Sequence, residues 1–252
     1  MRNTRKHIFL NGRVAELLSA SILALLGGCA TTAHPDFTGV WQVADPELVK
    51  RPDVYATEAD YMPEAWSNLQ DYRKNWEARS DDPVSVCVKY GMPHVMTARA
   101  RTYVMDIFQA ASRITVLMEY MDNHRLIHLD HTSIPATITP SNNGYSVGHW
   151  DGDALVIETT MLKARSPVGP IQRSDQARFT ERWTMRNDPT LGKIINIDIT
   201  TYDPVTFRHP VESHQVLKPA DAGTVLNEYA CADSLWEDHV ARHRAESDAT
   251  NQ

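Results

Sequence analysis

The sequence predicts an all-β protein built as an antiparallel sandwich or barrel, and three observations carry that prediction. Apolar and polar residues alternate with a period of two through most of the chain beyond Cys87. The alternating runs are short and evenly spaced, with turn-forming residues between them. Few stretches show the helical period long enough to serve as crossovers, which disfavours a doubly wound α/β sheet.

Taken in order, residues 37–43 alternate and are rich in β-formers, so they form the first strand. Residues 44–56 are polar and punctuated by proline, a loop. Pro63 suits the first turn of a helix, and Trp66, Leu69, Tyr72 and Trp76 recur at three- and four-residue steps. A helical insertion near residues 57–80 follows, stopping before Asp81-Asp82-Pro83. Further strands are expected at 102–109, 113–120, 125–129, 154–160, 177–185, 193–202, 208–217 and 224–229. Met121-Asp122-Asn123, Asp151-Gly152-Asp153, Asn187-Asp188-Pro189, Asp203-Pro204 and Asp221-Ala222-Gly223 supply turns between them. The tail beyond Trp236 suits a terminal helix that frays over the small, polar residues 245–252.

The chain opens on a cationic leader of Arg2, Arg5, Lys6 and Arg13, followed by an apolar run over 17–26 too short to span a bilayer. Residues 1–28 therefore read as a signal peptide, and the chain as exported. Leu26-Gly27-Gly28-Cys29 resembles the lipobox of bacterial lipoproteins. That resemblance implies a lipid on Cys29, a tether over 29–36 and a single domain over 37–244 on the periplasmic side of the cell envelope. Ala30 after the cysteine points to the outer membrane by the same resemblance. No later segment approaches twenty apolar residues, so membrane attachment is expected to rest on the lipid. With Cys29 acylated, Cys87 and Cys231 remain, an even number in an oxidising compartment, and they are expected to pair. Losing the leader takes the formal charge from −7 to −10, without a basic stripe, which argues against nucleic acid as a partner.

Gly39-Val40-Trp41 is similar to the G-x-W signature of lipocalins and related calycin barrels, whose tryptophan plugs the closed end. The resemblance implies a lipocalin-like, calycin-like antiparallel barrel of about eight to ten strands with room for one small ligand. A longer set of blocks resembles a family of exported bacterial proteins of largely undefined function. They are Phe37–Trp41, Cys87 with Gly91-Met92-Pro93, the run from Gly144 to Asp153, Thr180–Trp183, Tyr202-Asp203-Pro204 and Glu228–Cys231. The chain departs from that family's usual pattern at His149, Arg173 and His131-Thr132.

Glu181 is the leading candidate for chemistry. On its strand it shares a face with Phe179, Trp183 and Met185, so alternation places a carboxylate among aromatics on the inner side. Such a group either works as a general acid or base, or is neutralised by an arginine such as Arg113 or Arg125. His128, Asp130 and His149 are the candidate proton-shuttling partners. Gly144-Tyr145-Ser146-Val147-Gly148 matches G-x-S-x-G, but no helix follows, so a structural glycine-rich turn is expected rather than a nucleophile elbow. Leu126–His131 has too few donors for the H-x-H-x-D-H metal motif, and no C-x-x-C is present, so neither metal nor cofactor is expected. The expected function is an exported, lipid-anchored enzyme acting by metal-independent acid–base chemistry on a small hydrophobic or aromatic molecule. The alternatives are a carrier or sensor that binds such a molecule unchanged, and an envelope lipoprotein with a filled interior.

Overall fold

The computed structural model describes residues 34–44, 56–76, 82–97, 103–130, 133–165 and 171–250. Residues 1–28, expected to be a signal peptide, Cys29 and His131 lie outside the described residues. Nine strands form: β1 (Gly39–Val43), β2 (Val104–Gln109), β3 (Arg113–Met118), β4 (Asn123–His128), β5 (Tyr145–Asp151), β6 (Ala154–Thr160), β7 (Arg178–Asp188), β8 (Gly192–Tyr202) and β9 (Val211–Pro219). β1 pairs with both β2 and β9, which closes the sheet into the expected lipocalin-like barrel.

The barrel is mixed rather than wholly antiparallel. β4 and β5 run parallel, with Ile127 opposite Ser146 and His128 opposite Val147. Parallel neighbours cannot be joined by a tight hairpin, and sixteen residues, 129–144, separate the two strands in the chain. β5 forms from the stretch expected to be a glycine-rich turn. Conversely, residues 224–229 are not a strand; Asn227 and Tyr229 instead tie to Glu119 and Asp122 beside β3.

Alternation along the strands sorts side chains to the two faces. Phe37, Trp41 and Trp183 fill one end, with the Trp41 indole N–H donating to the Phe37 carbonyl at 2.9 Å. Phe37 also stands edge-on to Trp183, their ring centres 5.7 Å apart. At the other end, the mouth, pack the described parts of the β1–β2 connection, residues 56–76 and 82–97. Its helix α1 (Pro63–Asn75) buries Ala65 and Leu69, which cluster with Tyr61, Phe207 and Val211. A strap over 91–97 then drives Met92, Val95 and Met96 into the barrel core. Gly91 makes this docking possible: its φ is +68°, and a Cβ there would meet the Asn142 carbonyl oxygen at 2.1 Å. The Met92 N–H donates to that same oxygen at 3.0 Å.

Cys87 and Cys231 form the expected disulfide, Cα atoms 5.8 Å apart, fastening the strap's approach to the first residue of helix α2 (Cys231–Thr250). The helix starts earlier than expected and runs to Thr250. No helix among the described residues is long and apolar enough to cross a membrane.

Candidate functional site

Glu181 lies where alternation places it, inside the barrel and wholly buried, and both of its oxygens are taken. Arg125, reaching from β4, donates to Oε2 through Nη1 at 2.9 Å and to Oε1 through Nη2 at 2.5 Å. The Trp183 indole N–H adds a third bond to Oε2 at 3.0 Å. Arg125 also donates to the hydroxyls of Ser146 (3.0 Å) and Thr159 (2.7 Å), which bond to one another at 2.9 Å. Ser146 is thus a buried strut between β4, β5 and β6, within a strand rather than in the expected glycine-rich turn. A two-pronged arginine–carboxylate pair of this kind satisfies a charge that burial would otherwise expel.

The expected partners do not converge on Glu181. β4 points Arg125 and Ile127 inward, so the intervening side chains, His124, Leu126 and His128, face outward. His128 stacks on Tyr145 at 4.6 Å on the outer wall. Asp130 is exposed just past the strand end, and His149 is exposed on β5. Burial raises the Tyr145 phenol, with Asp130 contributing a smaller push. The barrel wall separates these residues from Glu181, so the four do not form one catalytic constellation. Among the described residues no cluster of His, Cys, Asp and Glu could hold a metal ion.

What the structure offers instead is a cleft at the mouth. It is small, about 50 Å³, and opens to solvent; Tyr61, Met92, Phe179 and Phe207 give it an apolar wall. Thr201, on the inner face of β8, lines it as well. That hydroxyl is buried, at 5% residue exposure, and has no hydrogen-bond partner among the described residues.

Arg173 borders this cleft and an adjoining one that also carries Arg165. It is only 4% exposed. Its guanidinium donates to three backbone carbonyls: Lys163 (Nε 3.1 Å, Nη2 2.8 Å), Asn142 (Nη1 3.0 Å) and Met92 (Nη1). These bonds clamp the strap to two barrel connections. None of the ion pairs among the described residues includes it. Burial, reinforced by the Arg165 charge, pulls the Arg173 guanidinium down to about 10, with Asp203 pulling the other way. Asp203 spends its own carboxylate on Ser174, Val205 and Thr206, accepting their backbone N–H groups and two hydroxyls. Arg165 lies over the Tyr90 ring at 4.4 Å. The Tyr90 phenol, which donates to Asp82, is pushed well up, chiefly by burial.

Neither Arg173 nor Thr201 was identified as a site residue from the sequence. Arg173 lies in a connection without periodicity, and only its departure from the family pattern marked it. Thr201 sits at a strand end beside a turn signal, where a threonine attracts no notice.

No family model matches the chain, and no curated protein matches it. Among solved structures it is similar to a secretary abundant heat soluble (SAHS) protein from Ramazzottius varieornatus. The two are 11% identical over 73% of this chain and 95% of that one, with a TM-score of 0.33, a distance at which neither activity nor ligand transfers.

Proposed function

We propose that the protein is a lipid-anchored binding protein of the bacterial envelope that holds a small, largely apolar molecule in the cleft at its barrel mouth. The cleft carries this reading: an apolar wall with one buried, unpartnered hydroxyl is the composition of a small-molecule site. The acid–base enzyme expected from the sequence is set aside, because its acid is consumed by Arg125 and its proton shuttles lie outside the barrel. The anchor and the periplasmic setting rest on the leader and its lipobox-like end.

N-phenyl-1-naphthylamine, an uncharged fluorophore that brightens when desolvated, tests the reading directly. Saturable binding to the purified protein in detergent-free buffer is expected. Phe207→Ala, which strips one wall of the cleft, should weaken it about tenfold, the loss of roughly 1.4 kcal/mol of apolar contact. Absence of saturable binding, or binding unmoved by that substitution, would sink the proposal.

A further inference from the structure

We infer that the occupant of the mouth cleft is an organic anion, an apolar molecule whose single carboxylate or comparable oxygen-acid group is met by Arg173 and Thr201. The inference rests on the binding reading above and adds the ligand's charge.

The molecule contains its own control. Arg125 and Arg173 are buried to nearly the same degree, 2% and 4% exposed. Arg125 has a carboxylate on its fork; Arg173 has peptide carbonyls alone. Carbonyls satisfy N–H donors but leave the unit charge in place, and a charge withdrawn from water without a counter-charge is costly. Arg165 borders the adjoining cleft together with Glu64 and Asp175, and its charge acts on Arg173 while Asp82 acts on Arg165 itself. Asp203 also borders the cleft; its carboxylate is satisfied by five neutral donors but keeps its charge, so it offsets part of the Arg173 charge from a distance without sitting on the guanidinium.

The rest of the lining fits the same ligand. The Thr201 hydroxyl can donate one hydrogen bond to an acid oxygen. Tyr61, Met92, Phe179 and Phe207 would cover an apolar body. An anion seated here would also touch the guanidinium that holds the strap through the Met92 carbonyl, so occupancy and strap position would be coupled.

A matched pair of competitors isolates the charge. Naphthalene-2-carboxylate and naphthalene-2-carboxamide share a ring system and differ in ionisation at pH 7. Each is titrated against bound N-phenyl-1-naphthylamine on the purified protein. The carboxylate should displace the fluorophore at a concentration about tenfold lower than the amide, as a charge-assisted bond outweighs a neutral one. Arg173→Gln should erase that advantage, read as the ratio of acid to amide potency within the variant whatever its affinity for the fluorophore. Equal potency of acid and amide on the wild-type protein would overturn the inference while leaving the binding reading standing. An advantage that survives in Arg173→Gln would overturn the assignment to Arg173. Failure of the fluorophore to bind at all would defeat the binding reading first. Should Arg173→Gln not fold, Arg173→Lys, which keeps the charge, replaces it: a retained advantage supports the assignment and a lost one overturns it.

Discussion

Glu181 shows how a buried residue's role follows from its partner rather than its position. Removing it strands the Arg125 guanidinium in the barrel, so Glu181→Ala should cost about 3–5 kcal/mol of unfolding free energy by urea titration. Replacing both members, Arg125→Met with Glu181→Leu, should recover most of that loss, because the desolvation cost of the pair disappears with its attraction. A double variant no more stable than the single one would contradict this account. The inward face of β7 was legible in the sequence because Phe179 and Trp183 flank Glu181 at the strand period. Its partner could be named only by type, an arginine such as Arg113 or Arg125, because alternation along β7 does not say which strand the inner carboxylate faces. The histidines misled for a related reason. His124, Leu126 and His128 do share a face, but Arg125 and Ile127 claim the interior, and a charged residue inside a barrel inverts the usual reading of polarity. Arg173 was beyond sequence reasoning, because its three acceptors are backbone carbonyls of segments far apart in the chain.

At the level of elements, the closed end follows local alternation, whereas the mouth depends on one close backbone contact. Gly91 and Gly152 both adopt positive φ, +68° and +59°, so an alanine at either pays a left-handed penalty of about 1–2 kcal/mol. At Gly152 nothing lies within 4 Å of the added Cβ, and the cost should end there. At Gly91 the Cβ would strike the Asn142 carbonyl, forcing the strap away and loosening Met92, Val95 and Met96 from the core. Gly91→Ala should therefore lose at least about 2 kcal/mol more than Gly152→Ala by urea unfolding, with cavity creation adding to strain. Equal losses would mean that the strap is not held by this approach. Strands with clean alternation, β6 to β8 above all, could be placed within a few residues. β5 was hidden by Gly144 and Gly148, which resemble turn residues. Gly148 is instead a strand position where a Cβ would lie 3.0 Å from Ile127 and Leu129 side-chain atoms. The parallel β4–β5 pairing was equally invisible, because alternation fixes which face a residue takes and says nothing of strand direction.

Across the whole molecule, carboxylates outnumber cations, 32 to 25, and several are bound so that folding favours their ionised form. Hydrogen bonds from Thr38 hold Asp36 below the usual carboxylate range, those from Thr57 do the same for Asp60, and those from Leu191 and Thr190 for Asp188. Each group contributes stability that is fully present above its unfolded value of 3.8 and is lost as pH falls through its lowered folded value. Asp106 has the opposite sign, for burial raises it, so protonation there relieves a cost. Among the described residues three such groups stand against one, so acidification should destabilise, and the melting temperature should fall as the pH is taken from about 4 toward 2. Asp188→Asn isolates one contribution. The amide oxygen can still accept from the Thr190 and Leu191 N–H groups, so stability at pH 7 should change little. The decline in melting temperature below pH 4 should nevertheless become shallower, because the variant no longer takes up a proton at that turn. A profile parallel to that of the wild type would show that the Asp188 turn plays no part in the acid response.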